Sequence, residues 1–83
     1  MDDEPLLLPS ALWHGVREED LLHAYAMPVA VLTQPDGMVM FLGPGRTGTD
    51  LIEVGVIEWF GMTAIAHGMR PARDKYLRAG GLG

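Results

Sequence analysis

The amino-acid sequence predicts one α+β domain over residues 1–83, with an N-terminal helix, a four-stranded antiparallel meander and a short C-terminal helix. The first observation is an apolar stripe at helical spacing early in the chain, and the second is a series of β-rich segments separated by turn residues. The third is size, because 83 residues with a 48% apolar share suit a single folded domain. The helices are expected to pack on one face of a curved sheet.

Residues 1–9 are expected to form an extended arm, acidic and rich in leucine, ahead of a core at residues 10–83. Pro5 and Pro9 disfavour a helix in this segment. Burial of the run Leu6–Leu8 is strongly favoured over its exposure to water. We therefore expect this run to cover an apolar patch or a partner.

The N-terminal helix is predicted over Arg17–Ala26. Three acidic residues fill its first turn, where carboxylates interact favourably with the positive end of the helix dipole. Leu21, Leu22 and Tyr25 supply its apolar stripe. Pro28 ends the helix, because the residue before a proline is driven out of the helical region.

Four strands are predicted after this helix, over residues 29–33, 38–42, 51–59 and 62–67. Pro35-Asp36-Gly37 is a turn signal between the first two strands, and Phe60-Gly61 marks a reversal between the last two. In the third strand the even positions are apolar, whereas the odd positions hold Glu53 and Gly55. Because side chains alternate along a strand, the even face is assigned to the core.

The C-terminal end combines a short predicted helix with most of the basic charge. Pro71 suits a first helical turn, so a helix is expected over Ala72–Arg78, ended by two glycines. Residues 67–83 hold four basic residues against one acid, whereas residues 1–40 hold seven acids against one base. The net charge of −5 argues against long-range attraction of nucleic acid, but the basic end is still a candidate contact.

Several kinds of site are excluded by residue type or spacing. The chain has no cysteine, which excludes disulfides and zinc–thiolate sites. Its three histidines lie in separate predicted elements, so no metal and no cofactor is expected. The loop Gly43–Gly48 lacks the lysine of a phosphate-binding loop and precedes a strand. Glu53 and Glu58 are expected on opposite faces, which leaves no catalytic pair of carboxylates.

No membrane partner is expected. Every apolar run falls well short of the roughly 18 residues that a membrane-spanning helix needs. The first residues are acidic, unlike the basic start of a signal peptide, so a cytoplasmic location is expected.

The best candidate site lies where the last strand meets the C-terminal helix. It comprises His67, Arg70, Arg73, Lys75 and Tyr76. Arg73 and Tyr76 are three residues apart and share a helix face. A helix start beside guanidinium groups suits a phosphate, tyrosine can stack on a base, and histidine can move a proton. The alternative for His67 is a histidine at the end of a strand that is bonded to the backbone.

Three motifs, in order along the chain, resemble one protein family. They are His14-Gly15-Val16 before an acidic and apolar helix, the run from Met40 to Arg46 before a strand, and the run from Ala64 to Arg73. The last is similar to the family pattern I-I-S-A-R-x-A-x-x-x-E. From His14 to its C-terminus the chain thus resembles the BrnT-type toxins of bacterial type II toxin–antitoxin systems, within the wider RelE-like ribonuclease group.

This resemblance implies a metal-independent endoribonuclease that cuts RNA and is held inactive by a co-encoded antitoxin protein. In such enzymes the ribose 2′-hydroxyl attacks the neighbouring phosphate, so the protein must stabilise charge and move protons. Carried onto this chain, it implies that Arg70 and Arg73 stabilise the phosphate, that His67 or Tyr76 carries the proton, and that Arg46, Lys75 and Arg78 contact the RNA.

A second interpretation is a catalytically silent relative that binds a protein partner. The acidic net charge and the Leu6–Leu8 run favour it, because family members are mostly basic and begin with a strand that reads F-E-W-D. A homodimer is expected under either interpretation, since a thin core and an open sheet edge both favour a partner.

Overall fold

A computed structural model describes residues 4–83, in which two helices pack against one mixed sheet. The strands are β1 (Leu6–Leu7), β2 (Ala30–Thr33), β3 (Val39–Pro44), β4 (Leu51–Trp59) and β5 (Met62–Met69), and the helices are α1 (Glu18–Ala26) and α2 (Asp74–Ala79). A 3₁₀ turn over Pro9–Leu12 follows β1. The predicted α+β class is confirmed.

The meander formed by β2 to β5 is antiparallel throughout, as predicted. The pairing of β4 with β5 shifts by one residue near its middle, because Gly55 pairs with His67 whereas Val56 pairs with Ile65. Ala66 is therefore an extra residue in β5, which makes a β-bulge.

The prediction of four strands is wrong, because the described part of the chain has five. Leu6 and Leu7 form β1, which pairs in parallel with β5 opposite Ala64 and Ile65. The backbone N–H of Leu8 extends this pairing by donating to the carbonyl of Ile65 at 3.0 Å. The sheet order is β1-β5-β4-β3-β2, so α1 follows a strand and a 3₁₀ turn and is not the first element. Residues 1–3 of the predicted arm lie outside the described residues.

The expectation that both helices cover one face of the sheet is also wrong. One face carries the main core, in which Leu21 of α1 packs against Val54 and Ile65. The other face carries a second cluster, in which Met40 and Leu42 pack with Ala72, Tyr76 and Leu77. Alternation along β3 places these two apolar sets on opposite faces.

The central strand β4 is consequently buried on both faces. Its even positions belong to the main core, as predicted, but Glu53 on the odd face is 0% exposed. Gly55 allows the second face to close, because a Cβ there would lie 2.5 Å from the Met38 sulfur and 2.9 Å from the His67 Cβ. The α2 side of the sheet is thus a covered layer that contains a buried carboxylate.

Candidate functional site

Glu53 is the centre of a cluster on the α2 side of the sheet. Its carboxylate accepts hydrogen bonds from the His67 Nε2 at 2.8 Å and from the Arg73 Nη2 at 2.7 Å. The Arg73 Nε donates to both carboxylate oxygens, at 3.1 and 3.2 Å, and the Arg73 backbone N–H donates to Oε1 at 2.8 Å. Both oxygens of the buried carboxylate therefore accept hydrogen bonds, and the carboxylate has a cationic partner in Arg73.

The register of β4 and β5 explains why these groups meet. Glu53 pairs with Met69, and His67 lies two residues before Met69 on the same face of β5. Arg73 follows at the N-cap of α2, where the chain turns back over this face. The bulge at Ala66 is what brings His67 to the α2 side of the sheet.

The ionisation of Glu53 determines which ring nitrogen of His67 donates the hydrogen bond between them. Burial alone raises the pKa of Glu53, but the hydrogen bonds from His67 and Arg73 and the charge of Arg73 outweigh it and lower the pKa to about 2. An ionised carboxylate only accepts hydrogen bonds, so the His67 Nε2 carries the proton of this pair. In neutral His67 the lone pair is then on Nδ1, which makes no hydrogen bond within residues 4–83.

Arg70 belongs to a second cluster, which ties the β3–β4 loop to α1. Its Nη1 donates to Asp20 at 3.0 Å, its Nη2 to Asp50 at 2.5 Å, and its Nη2 also to the Thr47 carbonyl at 2.9 Å. Asp20 is 1% exposed and accepts the Thr47 backbone N–H at 3.1 Å. The guanidinium of Arg70 is thus committed to two carboxylates and a loop carbonyl.

The pKa values in this second cluster reflect the same ion pairs and hydrogen bonds. Burial favours a higher pKa for Asp20, but backbone hydrogen bonds from Thr47 and Arg46 and the charge of Arg70 lower it overall. The hydrogen bond from Arg70 lowers the pKa of Asp50, and the same bond raises the pKa of Arg70. All three groups stay charged near neutral pH.

The expected proximity of Arg73 and Tyr76 is observed, although Arg73 is the N-cap and the helix covers Asp74–Ala79 and not the predicted Ala72–Arg78. The Arg73 guanidinium carbon lies 5.2 Å from the centre of the Tyr76 ring, and the Lys75 ammonium lies 4.9 Å from it. The Arg73 side chain is 44% exposed, and Lys75 and Arg78 are also exposed. This short helix therefore presents cations around one aromatic ring.

The expected phosphate site at the start of the helix is corrected in one respect. A helix start beside guanidinium groups was expected to suit a phosphate, but the Arg73 backbone N–H at this start is already bonded to Glu53. The helix is also six residues long and begins at Asp74. Anion contacts at this end must therefore come from side chains.

The structure also bears on the remaining expectations from the sequence. Arg46 is exposed in the β3–β4 loop, next to the Asp20 cluster. The backbone-bonded alternative for His67 is not observed, since its ring nitrogen bonds a carboxylate. Within residues 4–83 no group of three histidine, aspartate or glutamate side chains is arranged to hold a metal ion. No helix of this part of the chain is long and apolar enough to cross a membrane.

Two residues of the cluster were missed in the sequence. Glu53 had a readable signal, because it is the one carboxylate within the apolar segment 51–57 and a carboxylate buried there requires a cationic partner. His14 had none, since its approach to His67 depends on the pairing of β1 with β5. The two imidazole rings meet edge to face, with centroids 5.6 Å apart.

Comparisons of this chain with protein-family models, with curated proteins and with solved structures find no match. The function is therefore inferred from the geometry of the site and from the motifs in the sequence.

Proposed function

We propose that this chain is a metal-independent endoribonuclease of the toxin type, with its site at His67, Arg73, Lys75 and Tyr76. The observation that carries the proposal is the Glu53 cluster. A buried carboxylate orients one partly exposed histidine and, at the same time, one exposed arginine. A histidine oriented by a carboxylate is a common arrangement for proton transfer, and an adjacent arginine suits a phosphate.

The chemistry uses only groups that the chain supplies. His67 accepts the proton of a ribose 2′-hydroxyl at Nδ1, because its Nε2–H is held by Glu53. The 2′-oxygen then attacks the adjacent phosphorus, and negative charge grows on the phosphoryl oxygens. Arg73 stabilises that charge through Nη1, which has no hydrogen-bond partner among residues 4–83.

The proton is assigned to His67, and Tyr76 is assigned to RNA binding. Tyr76 already has the cations of Arg73 and Lys75 against its ring, which suits the stacking of a base beside a phosphate. Arg78 and Arg46 are exposed and provide further contacts to the RNA backbone. Arg70 acts indirectly, because it holds the loop and α1 together.

The first test is cleavage of RNA by purified protein in the presence of EDTA. A long transcript of mixed sequence serves as the probe, and His67→Asn and Arg73→Ala are compared with wild type. Arg17→Ala is the matched control, since Arg17 is an exposed arginine outside both clusters. We expect losses of roughly 10²- to 10⁴-fold for His67→Asn and full activity for the control.

The cellular arm of the test uses inducible expression in a bacterial host. We expect growth arrest with loss of cellular RNA, both abolished by His67→Asn. A neighbouring short reading frame whose product restores growth is the expected antitoxin. A folded wild-type chain that neither arrests growth nor cuts RNA would overturn the proposed function.

A second candidate function, a catalytically silent module that forms a homodimer, is favoured by one surface. The β4–β5 hairpin tip exposes Trp59, Phe60 and Met62, and Phe60 is 87% exposed. Exposed aromatic residues next to each other often mark an interface. The Leu6–Leu8 run no longer supports this candidate as strongly, because Leu7 packs against the main core.

Sedimentation equilibrium separates this candidate from the first. A dimer in wild type that becomes a monomer in Phe60→Ser, together with intact RNA, would favour the silent module. A wild-type monomer at all concentrations would remove it.

A further inference from the structure

We propose that His14 is a second proton-transfer group of this site and acts as the general acid that protonates the leaving 5′-oxygen. This inference rests on the ribonuclease function proposed above and assigns a residue to the second half of the same reaction. The observation behind it is the contact between the imidazoles of His14 and His67, whose centroids are 5.6 Å apart at an interplanar angle of 74°.

The position of His14 is fixed by the element that precedes it. The 3₁₀ turn is anchored to β5 by the Ser10 hydroxyl, which donates to the Ala66 carbonyl at 2.5 Å. The Gly15 N–H closes the end of the turn by donating to the Leu12 carbonyl at 3.1 Å. Gly15 has φ +78°, a conformation that glycine adopts without strain. The backbone around His14 is therefore held against the strand that carries His67.

The His14 side chain has no evident structural role. It is exposed, it belongs to neither apolar cluster, and its ring makes no hydrogen bond within residues 4–83. His23 provides the contrast, because its Nδ1 is 2.7 Å from the Pro44 carbonyl and links α1 to β3. His14 is instead free to exchange its proton with solvent next to a histidine that is oriented by Glu53.

The two histidines complete the cleavage without water or a metal. The 2′-hydroxyl gives its proton to the His67 Nδ1 as the bond from O2′ to phosphorus forms. The bond from phosphorus to O5′ breaks, and the His14 imidazolium gives its proton to O5′. The products are a 2′,3′-cyclic phosphate and a 5′-hydroxyl. Exchange with solvent then removes the proton from His67 and returns one to His14.

A leaving group that needs no proton tests this assignment directly. The probe is a short oligoribonucleotide that contains the linkage cut most readily in the mixed transcript, made once with the normal 5′-oxygen and once with sulfur in its place. A thiolate leaves without protonation, so a general acid matters only for the oxygen substrate. The variants are His14→Asn and His67→Asn, and Trp13→Ala, an exposed neighbour in the same turn, is the control.

We expect His14→Asn to cut the oxygen substrate roughly 10²- to 10³-fold more slowly than wild type and the sulfur substrate at the wild-type rate. His67→Asn should lose activity on both substrates, and Trp13→Ala on neither. Equal losses on both substrates for His14→Asn, or no loss on either, would overturn the role of His14 while wild-type cleavage upholds the proposed function. A wild type that cuts neither substrate would overturn both.

Discussion

Arg70 and Arg73 are three residues apart in the chain, yet they meet very different surroundings. Arg70 donates to Asp20, Asp50 and a loop carbonyl, and its side chain is 25% exposed. Arg73 has a single carboxylate partner and is 44% exposed. The difference indicates that the number of carboxylates bonded to an arginine determines how many of its N–H donors remain for a ligand. An arginine shared by two carboxylates holds structure together, whereas one with a single partner keeps donors for a ligand.

Removal of Arg70 tests this difference most directly. Arg70→Ala leaves Asp20 buried without its cation, so we expect the free energy of unfolding to fall by about 3–4 kcal/mol. Urea denaturation followed by circular dichroism measures it, with Arg17→Ala as the control. A loss below about 1 kcal/mol would mean that the Arg70 cluster is not a structural tie.

Acid should weaken both clusters over a defined pH range. The pKa of Glu53 falls from 4.5 to about 2 on folding, so its contribution is present above pH 4.5 and is lost as the pH falls towards 2. This amounts to about 3 kcal/mol from Glu53, and the lowered pKa values of Asp20 and Asp50 add acid sensitivity in the same direction.

Urea midpoints measured from pH 6 down to pH 2.5 test this expectation. Glu53→Gln should be less stable at pH 6 and should show a shallower decline than wild type. A wild-type midpoint that stays constant across this range would contradict the ionised state of Glu53.

The exposed arginine should respond in activity more than in stability. Arg73→Lys keeps a positive charge beside Glu53 but loses the forked geometry that serves the carboxylate and a phosphate together. We expect RNA cleavage to fall roughly 10²-fold, with a much smaller change in unfolding than in Arg70→Ala. Arg78→Lys is the matched control on the same helix. Full activity in Arg73→Lys would contradict a role of the Arg73 guanidinium in cleavage. Arg73 would then, like Arg70, serve only to stabilise the fold.

The smallest expected effect concerns the aromatic ring beside Arg73. Tyr76→Leu should weaken the binding of single-stranded RNA about 10-fold, whereas Tyr76→Phe keeps the ring and should bind as wild type. Fluorescence anisotropy with a labelled oligonucleotide measures both. A loss of cleavage in Tyr76→Phe would instead identify the tyrosine hydroxyl as the proton carrier.

Local patterns were sufficient to predict most of the fold. The apolar stripe of α1, the turn at Asp36 and Gly37 and the even positions of β4 each act over a few residues, and all three are observed. β1 is different, because two leucines pair with a strand that lies far along the chain. Two residues carry no periodicity, so no local pattern could have indicated this strand.

The site was predicted less completely for the same reason. The group from His67 to Tyr76 is nearly continuous in sequence, and the arginine–tyrosine contact follows from helical spacing. Glu53 was placed on the face of β4 opposite the predicted core. The alternation of side chains distinguishes the two faces of a strand but does not show whether the second face is also covered. Asp20 lies in α1 and Asp50 in the β3–β4 loop, so both meet Arg70 only in the folded chain, and such pairing of distant charges depends on tertiary structure.

The extra residue in β5 has a genetic consequence. If Ala66 were kept but the bulge were lost, Ala66 would pair with Gly55 and His67 would lie opposite Val54, on the face of the sheet that α1 covers. If Ala66 were deleted, Ile65 and His67 would be neighbours opposite Val56 and Gly55, so the ladder would be regular and His67 would stay on the side of Glu53. Loss of this one codon is therefore expected to spare the contact between His67 and Glu53, so that two copies of such a chain that differ in length at residue 66 would still present the same histidine to the same carboxylate.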